Sequence, residues 1–176
     1  RVVRIVNALL DLSRLERGLA PTLRRTAVAV EPALAAAVEL FRRASASHRF
    51  AVECAPPLPR VDADPDALDR ILKNLVSNAV KYSPSGSTVT VTARGRADGS
   101  AVEFAVADEG SGIPRAALPR VFEPYYRAPD TLGAVRGTGI GLAVVKSLVD
   151  AHGGAIRVES IPGIGTRVTF ELPSVP

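Results

Sequence analysis

The sequence predicts an α+β fold: a two-layer α/β sandwich with helices on one face of a mixed, mostly antiparallel sheet. Three observations predict it. Stripes of apolar residues at three- and four-residue spacing mark helices, and they are interspersed with segments of period two that mark strands. Most of the strand-like segments come in pairs joined by short glycine turns, the signature of antiparallel hairpins. A hydrophobic content of 47% in 176 residues is enough for one packed domain with a short appendage.

The elements follow in order. Val2, Ile5, Val6, Leu9, Leu12 and Leu15 form one helical stripe, stopped by Gly18 and Pro21. So narrow a seam suits packing against other helices, a second subunit's included, or capping of the domain's own core. Thr26 to Val30 alternates like a short strand, Pro32 opens a helix to about Ala46, and Phe50 to Cys54 reads as a strand. Pro56, Pro57 and Pro59 make a stiff connection. Asp64 is a good N-cap with Pro65 behind it, so a helix runs from Pro65 to about Tyr82, where Ser83-Pro84-Ser85-Gly86 ends it. Ser87 to Arg96 and Ala101 to Ala107 form a hairpin turning at Asp98-Gly99. From Ile113 to Arg136 there is little periodicity, as in a lid or a disordered loop. A helix from Ile140 to Ala151 ends at Gly153-Gly154, and Ala155 to Ser160 pairs with Thr166 to Leu172 around Pro162-Gly163.

Several function classes are disfavoured at this point. No apolar run is long enough to span a bilayer, and Arg1-Val2-Val3 does not open a signal peptide. Arg1 in place of Met fits a piece of a longer chain, with any sensor or membrane segment upstream. Cys54 is the only cysteine, which excludes an internal disulfide and fits a reducing cytoplasm. The net charge is +4, but the arginines are scattered and aromatics make up only 5%, so no nucleic-acid partner is expected. Asp62, Asp64 and Asp66 imitate a calcium loop, yet Ala67 stands where glycine is required and Lys73 where glutamate is; helix capping explains them. His48 and His152 are isolated and read as structural.

Three motifs carry chemistry. On the Pro65–Tyr82 helix, Leu68, Ile71, Leu72, Leu75, Val76 and Ala79 form the buried stripe, and Asn74, Asn78 and Lys81 form a second stripe along its edge. Asparagine is a mediocre helix former, so two on one face need a reason. One is that an amide oxygen suits Mg²⁺, which takes few protein ligands and relies on phosphates for the rest; two hydrogen-bonded core amides are the other. Asp108-Glu109-Gly110-Ser111-Gly112 follows a strand and sets a carboxylate beside closely approachable backbone. Such a carboxylate can accept from an adenine amino group and would discriminate against guanine; a plain turn is the alternative. Gly137-Thr138-Gly139-Ile140-Gly141 opens a helix whose Leu142, Val145, Leu148 and Val149 point inward, and its free N–H groups suit a phosphate. It is neither a Walker loop nor a dinucleotide fingerprint.

In this order the motifs resemble the catalytic, ATP-binding domain of sensor histidine kinases, in the superfamily shared with gyrase, chaperone and mismatch-repair ATPases and built on the Bergerat-type fold. Asp69–Ser87 looks like the N box, Asp108–Gly112 and Gly137–Gly141 the two glycine boxes, and Val121-Phe122-Glu123-Pro124-Tyr125-Tyr126-Arg127 the phenylalanine box of the ATP lid. The closing run Ala151-His152-Gly153-Gly154 through Gly163-Ile164-Gly165-Thr166 follows the family too, so the likeness covers Thr26 to Pro173. The resemblance implies that Asn78 ligates Mg²⁺ and that Asn74 helps hold the phosphate–metal unit. Lys81 and Arg127 would contact phosphates, with these four as the catalytic set. Tyr82 would line the pocket, Asp108 would bind the adenine amino group, and Gly110 and Gly112 would admit the base beside Ile113. Gly137, Gly139 and Gly141, with Thr138, Ile140 and Leu142, would form the mobile phosphate loop.

The resemblance also implies a reaction. Hydrolysing relatives carry a glutamate four residues before the metal asparagine; here that residue is Asn74, which cannot take a proton at neutral pH and favours transfer over hydrolysis. The family's phosphoacceptor histidine motif is absent. Residues 1–20 look like the end of the second dimerisation helix, and 21–176 like the catalytic domain. The implied ligands are ATP and Mg²⁺. The implied partners are the upstream dimerisation and phosphoacceptor domain, a response regulator receiver domain and, in the intact cytoplasmic or membrane-anchored protein, a second copy. An anti-sigma-factor-type serine kinase of the same fold and a degenerate nucleotide-binding or interaction module are the alternatives.

Overall fold

A computed structural model describes residues 21–45, 47–128 and 138–175. The helical stripe from Val2 to Leu15, the boundary at residue 20 and Gly137 lie outside the described residues. Among the described residues, no helix is long and apolar enough to cross a membrane.

Among the described residues the chain runs through β1 (Thr26–Val28), α1 (Val30–Ala44), β2 (Arg49–Ala55), β3 (Val61–Ala63) and α2 (Pro65–Tyr82). It continues through β4 (Thr88–Gly95), β5 (Ala101–Asp108), a 3-10 turn (Leu118–Arg120), α3 (Gly141–Ala151), β6 (Ala155–Ile161) and β7 (Gly165–Pro173). Five strands form one sheet in the order β2-β4-β5-β7-β6. Only β2 and β4 are parallel, and β3 and α2 supply the crossover that a parallel pair requires. β1 and β3 form a separate antiparallel ribbon.

The predicted helix over Pro65–Tyr82 is found with those bounds, because its start is locally encoded. Asp64 Oδ1 accepts the N–H groups of Asp66 and Ala67 at 3.0 and 3.1 Å, and Pro65 gives up only an N–H that would have been unpaired. Its predicted apolar stripe is buried throughout. Two expectations need correction. The helix placed at Pro32 begins at Val30, and β1 stops at Val28; proline fits the first turn, where N–H groups have no helical partner. β3 has no counterpart among the strands expected from the sequence, since three residues after a proline run carry no period of their own, and pairing with β1 defines the strand.

The core lies between the sheet and the helices. Val89, Val91 and Ala93 of β4, Val102, Phe104 and Val106 of β5, and Phe170 and Leu172 of β7 alternate onto the covered face. Phe104 and Phe170, paired in register, stack with centroids 4.8 Å apart. The opposite face is polar, with Arg157 bridging Glu103 and Glu171. Helix α3 packs along α2, which brings the second glycine motif over the asparagine stripe.

Candidate functional site

Between α2, the end of β5, the start of α3 and the segment after Ile113 lies a cavity of about 240 Å³. α2 contributes Asn74, Asn78, Lys81 and Tyr82; β5 and the loop after it contribute Asp108, Gly112 and Ile113. Arg127 closes one side, and Thr138, Gly139, Gly141 and Leu142 another. Elements that are remote in sequence thus bring most of the sequence-predicted residues onto one surface.

Two predicted residues stand behind that surface. Ile140 is buried in the hydrophobic core. Gly110 is buried against the end of α2, where an added Cβ would come within 2.5 Å of Tyr82 O. Its requirement for glycine therefore comes from chain packing. Leu142, expected both to point inward and to belong to the phosphate loop, packs against the core while partly buried and also lines the cavity.

Asp108 is fixed from two directions. Its Oδ1 accepts the N–H groups of Gly110 at 2.9 Å and Thr166 at 3.2 Å, while Oδ2 takes no hydrogen bond from the described residues. Burial pushes the carboxyl above the usual carboxylate range, and those two N–H groups oppose the shift. The site therefore holds one orientation and leaves an oxygen for a donor. Thr166 reaches Asp108 because Gly165 lets the strands close: a Cβ at Gly165 would lie 1.9 Å from Asp108 O. Thr166, Val168, Ser77, Val121, Tyr126 and Ala128 line the cavity without having been read as site residues. For Thr166 the run Gly163-Ile164-Gly165-Thr166 was the available signal.

The cavity is also lined by amides and cations. Asn74 Nδ2 donates to Arg70 O at 2.9 Å, so its Oδ1 faces away, toward α3. Asn78 makes no side-chain hydrogen bond with the described residues and leaves its amide to the cavity. Lys81 reaches solvent beside Tyr82, and desolvation first, then the neighbouring Arg127, holds its ammonium below the usual lysine range. The first turn of α3 has no side-chain cap, and its helical bonding starts with Val144 N–H to Ile140 O. The N–H groups of Gly141, Leu142 and Ala143 are thereby the unpaired donors of a helix N-terminus, a favourable environment for an anion. Gly139 adopts φ +72°, and Tyr125 N–H donates to its carbonyl at 3.0 Å, joining the phenylalanine-box-like segment to the second glycine motif.

This geometry agrees with the comparisons. Residues 63–176 match the family model described as histidine kinase-, DNA gyrase B-, and HSP90-like ATPase. The histidine protein kinase DivJ of Caulobacter vibrioides is 40% identical over 173 residues, covering 96% of this chain and 28% of that protein. The structure of full-length ShkA in complex with AMPPNP superposes with a TM-score of 0.84 at 34% identity, over 99% of this chain and 36% of that one. The mycobacterial sensor histidine kinase MprB gives 0.74 at 31% identity, over 88% of this chain and 99% of that one. The chain spans between 21% and 46% of the length of the curated relatives it matches. With its motifs gathered on one cavity and its fold shared with these proteins, the chain belongs to the family of histidine kinase-, DNA gyrase B- and HSP90-like ATPases and is similar to the catalytic domains of its sensor histidine kinases.

Proposed function

We propose that this chain binds ATP with Mg²⁺ and is the catalytic domain of a sensor histidine kinase, transferring the γ-phosphoryl to a histidine on an upstream dimerisation helix for relay to a response regulator. The observation that carries this reading is the pairing of opposite chemistries in one cavity. Asp108, with Oδ2 unengaged by the described residues, lines the same space as Asn78, Lys81 and the uncapped start of α3; the carboxylate is the first chemistry, the amide, the ammonium and the free N–H groups the second. An adenine amino group suits the first, and a polyphosphate the second. In the neighbouring ShkA structure the bound molecule is AMPPNP, an analogue of ATP.

The donor set fits a nucleotide-borne Mg²⁺. Among the described residues there is no cluster of three His, Cys, Asp or Glu side chains for a metal, so an ion here would take most ligands from phosphate and water. Asn78 would hold it, with Asn74 beside it, and bound Mg²⁺ would neutralise phosphate charge. The protein's own contribution is positioning: Lys81 and Arg127 meet phosphate oxygens, and the N–H groups of α3 hold the chain of phosphates in line. The only carboxylate among the described lining residues is Asp108, already engaged by two N–H groups, and Asn74 has no basic site. With no general base for water among the described lining residues, transfer to a protein nucleophile is favoured over hydrolysis. The division between an upstream helix segment in 1–20 and a catalytic domain in 21–176 is part of the same proposal.

The test supplies ATP labelled at the γ-phosphate to a protein that carries this chain together with its upstream helices. An acid-labile, base-stable phosphate on the protein is the expected product. Release of free phosphate with no labelled protein would overturn the transfer reading, and a label stable in acid would favour a serine kinase instead.

A further inference from the structure

Helix α3 runs antiparallel to α2 and meets it at both ends. At one end Gly141 stands over the asparagine stripe: an added Cβ would lie 3.2 Å from Asn74 Oδ1 and 3.9 Å from Asn78 Nδ2. At the other end, His152 is fully buried one residue beyond α3. Its Nε2 accepts the backbone N–H of Asp64 at 3.0 Å, and its Nδ1 donates to Leu148 O at 2.6 Å. A backbone N–H can only donate and a carbonyl can only accept, so a single tautomer, with the proton on Nδ1, satisfies both. Asp64 is itself the N-cap of α2.

The remaining backbone groups at this junction are also held. Gly153, at φ +74°, donates to Asp150 O and Gly154 to Val149 O, closing the end of α3 in a Schellman turn that presents the His152 ring to α2. The chain just before β1 grips the same point: Arg24 N–H donates to Asp64 Oδ2 at 2.7 Å, and Arg25 Nη2 to Ala151 O at 2.6 Å. The rise from Asp64 to Asn74 is about 15 Å and from Gly141 to His152 about 16.5 Å. Two rods of matched length are therefore fastened at one end and bear the anion-binding groups at the other.

We propose that His152 is a positioning residue: by fastening the C-terminal end of α3 to the N-cap of α2, it sets the height of the α3 N-terminus over Asn74 and Asn78. The idea rests on the reading of that N-terminus as the phosphate site. A helix is stiff along its axis, so a slip at His152 is passed on to Gly141. Removing the imidazole leaves the Asp64 N–H without its acceptor inside the protein, and the helix moves to let water reach it.

The experiment compares His152→Ala, His152→Gln and a control, Val89→Ala, in the full 176-residue chain. Val89 is buried in β4, which carries none of the proposed nucleotide contacts. Calorimetric binding of ATP with Mg²⁺ is expected to weaken about tenfold in His152→Ala. In His152→Gln, whose amide oxygen reaches the place of Nε2, it returns to within about threefold. Val89→Ala lowers the melting temperature and leaves the affinity unchanged. Amide exchange at Val144 in the nucleotide-free protein accelerates in His152→Ala and recovers in His152→Gln. Wild-type affinity in folded His152→Ala, or an equal loss of affinity in Val89→Ala, overturns the proposal. If the wild-type chain fails to bind ATP, the nucleotide reading falls, and unchanged exchange at Val144 in His152→Ala then overturns the positioning role by itself.

Discussion

Asp108 accepts the backbone N–H of Thr166 at 3.2 Å, across 58 positions of sequence, on the same oxygen that accepts from Gly110. The bond turns a carboxylate at a strand end into an oriented acceptor. Burial holds the group above the usual carboxylate range, and the bond from Thr166, with that from Gly110, offsets part of this shift.

The first prediction concerns Asp108→Asn. An asparagine oxygen can keep both N–H bonds while removing a buried charge. Between the ordinary and the raised pKa the native state binds more protons than the unfolded chain, so Asp108 makes stability fall as pH rises through that window, and the penalty is complete above it. The variant escapes the penalty: its melting temperature relative to wild type rises from pH 3 to pH 7. Its affinity for ATP falls by about tenfold or more, the worth of a charged hydrogen bond. Scanning calorimetry and titration calorimetry check the two halves. A variant binding ATP like wild type removes the adenine contact.

Gly165→Ala attacks the same contact from the backbone. Gly165 holds φ +149°, and an added Cβ would meet Asp108 O at 1.9 Å, so β7 must retreat from β5. The expected loss of stability is about 1–3 kcal/mol, in the range for a strained backbone position. ATP affinity falls as well, because Thr166 N–H no longer orients Asp108. Urea denaturation and titration calorimetry on the same sample check both effects.

Asn78→Ala separates the proposed metal ligand from structural amides. Asn78 makes no side-chain hydrogen bond with the described residues, so its loss changes stability by about 0.5 kcal/mol or less. The dependence of ATP affinity on Mg²⁺ concentration should flatten. A magnesium titration identical to that of wild type would mean that Asn78 does not hold the ion.

Lys81 is predicted to give ATP affinity an alkaline limb. Desolvation and then Arg127 lower its pKa, so the free protein loses this proton before an ordinary lysine would. Bound phosphate favours the ammonium, so affinity falls as pH rises through the lowered pKa. The unfolded chain holds the proton longer in that window, so stability moves the opposite way and rises there. Lys81→Arg, which stays charged, binds ATP without the alkaline fall. Affinity measured from pH 7 to pH 10.5 decides it.

The sequence by itself determined the elements whose signals are local. Asp64, Pro65 and the apolar stripe defined α2 to the residue; Gly153 and Gly154 marked the end of α3; Asp98-Gly99 marked the β4–β5 turn. The asparagine stripe followed from the helical period, since the side chains at i and i+4 share a face. Tertiary structure alone decided what depends on pairing across the chain. β3 exists because β1 lies beside it, and Thr166 joins the site because Gly165 lets β7 approach Asp108. Gly110 and Ile140, alike in motif to their neighbours, were turned into the interior. His152, an isolated histidine in the sequence, joins two helices whose opposite ends carry the site, because packing α3 on α2 brings the Asp64 N–H to its ring. Local periodicity encodes which face of an element is apolar; the contacts between faces follow only from the energy of the whole packed arrangement.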